Sequence, residues 1–138
     1  MSENYLKQTQ VHTKETPGNC WATCLANLLG YNEVPSLDIL SDDWWKQSEA
    51  LALAKGFQLL EIPYNFMRIQ GGHEVIVSGR SPRKDWEGKE LNHCVLGKII
   101  SEGKTTRVEF LHDPHPDDTF IESVDWITFA LPILKTPH

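Results

Sequence analysis

The chain has 138 residues, a formal net charge of -6 and a hydrophobic fraction of 40%, values typical of one globular domain with one core. The negative charge argues against nucleic-acid binding, and no apolar run is long enough to span a membrane. There is no recognisable secretory signal, and three cysteines are too few for a disulfide framework. We therefore expect a single domain over residues 1–138, in the cytoplasm, with free thiols; the oligomeric state stays open.

The first predicted element is a helix over residues 20–29. Asn19 is a suitable N-cap, apolar residues follow with helical period, and Gly30 is suited to ending the helix. Cys20 then lies in the first turn, where unpaired N–H groups and the helix dipole favour an anion. This position is expected to lower the pKa of Cys20 and make it a nucleophile, whereas Cys24 is expected to be a core residue.

A second helix is predicted over residues 44–55, with Asp42 or Asp43 as its cap and Gly56 at its end. Strands are predicted over 57–62, 73–79, 92–100 and 107–112, with a loop over 79–88; residues 125–133 fit a strand or a short helix. Helices followed by antiparallel strands indicate an α+β fold, with the cysteine-bearing helix packed on the sheet.

A catalytic thiol needs a base and a group that orients the base. His93 opens the apolar strand 92–100, and Asp113 directly follows the next strand. The hairpin between them is roughly symmetric about residues 101–103, so the ends of its strands should lie about 5 Å apart. We therefore predict that Asp113 orients His93, and that His93 is the base for Cys20.

An oxyanion hole would combine the backbone N–H of Cys20 with a side-chain amide. Gln8 and Gln10 both precede the helix and are the available amides. The spacing alone leaves the choice between them open.

The basic segment Ser78–Arg83 is predicted to lie in a loop. One interpretation is a solvated hairpin connection; the other is a substrate-binding lip in which Arg80 or Arg83 binds a carboxylate or phosphate. Trp86, in the same polar stretch, is a candidate for lining a groove.

Zinc is the main competing chemistry. The potential ligands are Cys20, Cys24, His93, Cys94, His112 and His115. However, the chain has no CxxC pair, and adjacent strand residues such as His93 and Cys94 should point to opposite faces. We therefore assign no metal ligand and no cofactor.

Cys20-Trp21 at a helix start, His93 on a strand and Asp113-Pro114 after the next strand together resemble the papain-like thiol hydrolase superfamily, especially its bacteriocin-leader peptidases. Lys7-Gln8-Thr9, Ser78–Arg83 and His112–Pro116 are similar to segments of small proteins common in phages and prophages. The resemblance implies a papain-like fold.

The same resemblance implies that Cys20 is the nucleophile, His93 the base, Asp113 the orienting group and Gln8 the oxyanion donor. Trp21, Arg80 and Arg83 are the expected substrate contacts. The expected reaction is hydrolysis of an amide, peptide or isopeptide bond in a host or phage protein, in the host cytoplasm if a phage encodes the chain.

Two alternatives use the same fold. A papain-like scaffold without turnover would be a binding module, an inhibitor or adaptor of a host protein. With an amine as acceptor, the same thiol would make the protein an acyltransferase.

Overall fold

The computed structural model describes residues 5–11, 13, 18–64 and 71–133. The helices and strands in these ranges are α1 (Cys20–Leu29), α2 (Trp44–Leu53), β1 (Phe57–Pro63), β2 (Glu74–Lys84), β3 (Glu90–Glu102), β4 (Thr105–His112) and β5 (Ser123–Pro132). The strands form one antiparallel sheet in the order β1-β5-β2-β3-β4. The predicted α+β class is confirmed. In the described ranges, both helices are too short to cross a bilayer.

Helix α1 has the predicted bounds, and Gly30 ends it in the left-handed conformation with φ 86°. Asn19 does not cap the helix with its side chain. Its side chain accepts a hydrogen bond from the N–H of Gln10 at 3.0 Å and donates to Thr9 at 2.7 Å. Asn19 therefore ties the preceding segment to the start of α1.

Helix α2 ends at Leu53, two residues before the predicted end. The chain then makes a turn that reaches Gly56, which has φ 85°. Asp43 occupies the N-cap position, but its carboxylate accepts from the side chains of Ser41 and Gln47 and not from the helix backbone.

The central strands are apolar on both faces. Ile76 belongs to a cluster on the helix side, whereas its neighbours Val75 and Val77 belong to a cluster on the other side. This alternation follows from the two-residue period of a strand. The helix-side cluster consists of Trp21, Cys24, Leu25, Leu29, Ala52, Ile76 and Cys94. Packing of α1 on β2 and β3 through this cluster sets the position of Cys20 over the sheet.

The prediction of a loop over residues 79–88 is wrong for its first part, because β2 continues to Lys84. Arg80 pairs with Asn92 of β3 on one side and with Ser123 of β5 on the other. A Cβ on Gly79 would lie 1.8 Å from the carbonyl oxygen of Ser123, so β5 passes close against the glycine backbone. Pairing on both sides outweighs the local turn preference of the sequence.

The sheet also resolves the alternative left open for the last element. Residues 123–132 form strand β5, not a short helix, and β5 pairs with both β1 and β2. In the β3–β4 hairpin, Gly97 pairs with Phe110 but Leu96 pairs with His112, so one extra residue is accommodated there. The chain leaves β4 directly after His112, next to the end of β3 that carries His93.

Candidate active site

His93 and Asp113 form a direct pair, as predicted. The Nε2 atom of His93 lies 2.6 Å from Oδ1 of Asp113, and the Asp113 side chain is fully buried. The same carboxylate accepts hydrogen bonds from the backbone N–H groups of His115 (2.9 Å) and Phe120 (2.7 Å). Because three donors hold the carboxylate, it fixes the orientation of the imidazole ring.

The charges of this pair reinforce each other. Burial, the largest influence on Asp113, raises its pKa, but the hydrogen bonds from His93, His115 and Phe120 outweigh it and lower the pKa to about 2. Burial lowers the pKa of His93, but interactions with Asp113 and Cys20 outweigh it and raise that pKa to about 9. Asp113 is therefore ionised at neutral pH and stabilises a protonated His93.

Cys20 lies in the first turn of α1, half-buried, and interacts with the side chains of both His93 and Cys94. Since Nε2 of His93 is bound to Asp113, Nδ1 is the ring nitrogen that is available to the thiol. The structure thus brings the predicted nucleophile, base and orienting residue together at one end of the sheet.

The prediction that the helix start lowers the pKa of Cys20 is wrong in sign. The hydrogen bond with Cys94 and then burial raise this pKa well above its ordinary value, and they outweigh the opposite effect of His93. Cys94 in turn interacts with Cys24 deeper in the core. Two effects therefore oppose each other in one proton transfer: Asp113 favours protonated His93, whereas Cys94 keeps the proton on Cys20. The contact of His93 with Asp113 is short, at 2.6 Å, and both side chains are buried.

Gln8 lies beside the start of α1. Its backbone N–H donates to the carbonyl of Pro114 at 2.9 Å, and its side-chain Nε2 donates to the carbonyl of Gln10 at 2.6 Å. That carbonyl also accepts from the N–H of Asn19 at 3.1 Å, which brings the Gln8 amide next to the residue before Cys20. Gln8 is buried and lines the cleft, whereas Gln10 is exposed. Of the two amides, Gln8 therefore fits the oxyanion position better.

Two cavities meet at the cysteine. The first, of about 330 Å³, is lined by Gln8, Val11, Gly18, Cys20, Ile39, Arg83, Lys84, Leu91, Asn92, His93 and His115. The second, of about 500 Å³, is lined by Cys20, Trp21, Ile39, Trp44, Glu61, Ser78, Gly79, Asn92, His93, Cys94, Asp125 and Trp126. Both share Cys20 and His93, so an extended molecule lying across them would pass over the thiol.

The predicted substrate contacts occupy different places. Trp21 lines the larger cavity, although it is only 8% exposed and its indole N–H donates to Ser48 at 2.8 Å. Arg83 lines the smaller cavity and contacts the hydroxyl of Thr119. Arg80 lines neither cavity, because it extends from β2 to an ion pair with Glu90 at 2.5 Å. Trp86 is about half exposed and also lines neither.

Of the candidate zinc ligands, Cys20, Cys24, His93 and Cys94 are neighbours, but His112 is engaged elsewhere. His112 points to the carbonyl of Leu6 at 2.8 Å and packs against Tyr5, while Cys24 and Cys94 are buried beneath Cys20. Within the described ranges, no three side chains of the His, Cys, Asp or Glu type are arranged to hold a metal ion.

Lys7 is a site residue that the sequence reasoning did not single out. Its ammonium donates to the carbonyls of Asp113 (2.9 Å) and His115 (3.1 Å) and pairs with Asp118 at 2.6 Å. Lys7 thereby holds the loop that carries Asp113. A lysine more than one hundred residues before this loop gives no local signal of that role.

Among known proteins, no family model matches the chain, and no curated protein or solved structure is significantly similar to it. The interpretation of this site therefore depends on its own geometry.

Proposed function

We propose that the protein is a cysteine hydrolase of papain-like fold that cleaves an amide, peptide or isopeptide bond. The observation that carries the proposal is the 2.6 Å contact between His93 and the buried carboxylate of Asp113, together with the interaction of the same imidazole with the half-buried thiol of Cys20. Nucleophile, base and orienting group in this arrangement are the parts that covalent acyl transfer needs.

In the first half-reaction, the neutral form of His93 accepts the proton of Cys20 and the sulfur attacks the acyl carbon. The negative charge that develops on the acyl oxygen is stabilised by the backbone N–H of Cys20 and by the side-chain amide of Gln8. The Nε2 atom of Gln8 carries two N–H groups, and the donation to Gln10 uses one of them. His93 then gives its proton to the departing amine, which leaves an acyl thioester on Cys20.

In the second half-reaction, His93 takes a proton from water, and the resulting nucleophile attacks the thioester. The acid is released and the thiol regains its proton. Asp113 stays ionised throughout, consistent with its pKa of about 2, and stabilises the imidazolium each time it forms.

The arrangement of elements also supports the papain-like assignment. The nucleophile begins a helix packed on an antiparallel sheet. The base lies on β3 and the orienting residue directly follows the neighbouring strand β4, in the chain order Cys, His, Asp. A host or phage protein remains the proposed source of the scissile bond.

Alkylation at a limiting dose of iodoacetamide near pH 6 tests the proposal. We expect Cys20 to react at least about tenfold faster than Cys24 and Cys94, and we expect His93→Ala to remove this advantage. Peptide mapping by mass spectrometry identifies the modified cysteine. Equal, slow labelling of all three thiols would contradict the hydrolase proposal.

A silent binding module is the second candidate, and the raised pKa of Cys20 favours it. A thiol that holds its proton against His93 is a poor nucleophile. The same labelling experiment separates the two candidates, since a binding module requires no reactive Cys20.

A further inference from the structure

The larger cavity beside Cys20 combines aromatic and acidic walls. The rings of Trp21, Trp44 and Trp126 line it together with the carboxylates of Glu61 and Asp125. Apart from His93 at the catalytic end, its lining contains no basic side chain. The cavity is thus large enough for a long side chain, and apart from His93 the charged groups in its lining are negative.

Among the described residues, neither carboxylate has a basic partner. In the part of the chain that the structure describes, no lysine, arginine or histidine forms an ion pair with Glu61 or Asp125. The side chain of Glu61 has only a long contact of 3.5 Å with the hydroxyl of Thr128. Partial desolvation raises the pKa of Glu61 and outweighs that contact, so this carboxylate would gain from a cationic neighbour.

The aromatic wall favours the same kind of ligand. Trp126 is 46% exposed and precedes the buried Ile127 on β5, so part of its ring is accessible to a ligand in the cavity. A tryptophan face attracts a cation through its quadrupole, and it packs against the methylene stem of a long side chain.

We propose that this cavity is a substrate subsite for a cationic side chain, that of lysine or arginine, placed next to the bond that Cys20 attacks. The inference rests on the proposed function, because it takes Cys20 as the reacting atom. The smaller cavity on the other side of the thiol has Arg83 and Lys84 in its lining and would repel the same group. The two cavities therefore differ in charge, and the larger one is the favourable place for a positively charged side chain.

Three bromoacetamides of similar length and different charge test the subsite. They are N-(5-aminopentyl)bromoacetamide, N-pentylbromoacetamide and 6-(bromoacetamido)hexanoic acid. Each alkylates a thiol by displacement of bromide, so Cys20 labelling requires no turnover. We expect the cationic probe to modify Cys20 about five to ten times faster than the neutral probe, and the anionic probe to be the slowest.

Glu61→Gln and Asp125→Asn should each bring the ratio of cationic to neutral labelling closer to one. The ratio between probes cancels any change in the intrinsic reactivity of the thiol. Glu49→Gln is the matched control: it also removes one exposed carboxylate, but on α2 and outside both cavities. It should leave the ratio unchanged, which excludes an effect of net charge.

The two proposals fail in different ways in the same data. If Cys20 reacts fast but shows no preference for the cationic probe, the subsite is wrong and the hydrolase proposal stands. If Cys20 reacts no faster than Cys24 and Cys94 with iodoacetamide, the hydrolase proposal fails. A preference for the cationic probe that Glu49→Gln reduces as much as Glu61→Gln would also overturn the subsite.

Discussion

At the residue scale, the buried pair of His93 and Asp113 links the site to folding stability. The pKa of His93 is raised to about 9 in the folded protein, from about 6.5 in an unfolded chain. Its stabilising contribution is therefore complete below about pH 6.5 and is lost as the pH rises through about 9. For Asp113, with a pKa of about 2, the contribution is present above about pH 4 and is lost as the pH falls through about 2.

We predict that His93→Gln removes the alkaline part of this dependence. Between pH 6.5 and pH 9, the wild-type protein should lose about 2 kcal/mol more of its free energy of unfolding than the variant loses. Urea unfolding at a series of pH values measures this difference. If the free energies of unfolding of the two proteins change with pH in parallel, the pKa of His93 is not raised.

Cys94 provides a second prediction at this scale. Because the hydrogen bond with Cys94 is the largest influence that raises the pKa of Cys20, Cys94→Ala should lower that pKa and speed alkylation of Cys20 near neutral pH. Cys94→Ser retains a hydrogen-bonding group and is the matched control, with a smaller effect. The rate of Cys20 alkylation, measured against pH, gives the pKa of Cys20 in each variant. Slower alkylation of Cys20 in the alanine variant would show that Cys94 does not raise this pKa.

At the element scale, the segment that precedes α1 is bound to the loop that follows β4. Lys7 and Gln8 contact the carbonyls of Asp113, His115 and Pro114. In this way a polar segment with no regular structure holds both Gln8, the proposed oxyanion donor, and the carboxylate of Asp113.

Lys7→Met should loosen this connection. Loss of the charged hydrogen bonds is expected to cost about 1 kcal/mol, since the side chain is partly exposed. It should also speed amide exchange at His115 and Phe120, whose N–H groups bind Asp113. Hydrogen exchange by NMR measures this effect. Lys104→Met, at the exposed β3–β4 turn, is the control and should change neither quantity.

The close approach of β5 to Gly79 gives another prediction for an element. Gly79→Ala places a Cβ 1.8 Å from the carbonyl oxygen of Ser123, so β2 and β5 must separate, at a cost of about 3 kcal/mol. Gly88→Ala has open space around the new Cβ but a φ of 78°, and it should cost only about 1 kcal/mol. Thermal unfolding ranks the two variants, and an equal loss of stability would contradict the packing of β2 on β5.

At the scale of the whole molecule, the parts that could be predicted are those with local signals. Helix α1 is bounded by Asn19 and Gly30, and the hairpin that joins His93 to Asp113 is nearly symmetric about its turn, so both follow from short stretches of sequence. The sequence also indicated the amide donor, but could not separate Gln8 from Gln10, because burial of the first depends on contacts with Pro114 and Asn19.

The parts that could not be predicted depend on distant contacts. Strand β2 continues past Gly79 because Arg80 pairs with both β3 and β5 and Lys84 pairs with Glu90 of β3, on either side of an irregular stretch that contains Ser81 and Pro82. A local turn preference does not reveal these distant contacts. His93 and Cys94 both reach Cys20, although strict alternation predicts opposite faces; they lie close to the irregular register between β2 and β3. The pKa of Cys20 was therefore assigned the wrong direction.

The pH profile of Cys20 alkylation tests the central claim most directly. The second-order rate constant with iodoacetamide would be measured from pH 5 to pH 10 in the wild-type protein and in His93→Ala, with the modified cysteine identified by mass spectrometry. We predict a wild-type rate that exceeds the variant's at least about tenfold below pH 9, where protonated His93 lowers the pKa of Cys20, and similar rates above it, where His93 loses its charge. Superimposable profiles would show that His93 does not activate Cys20.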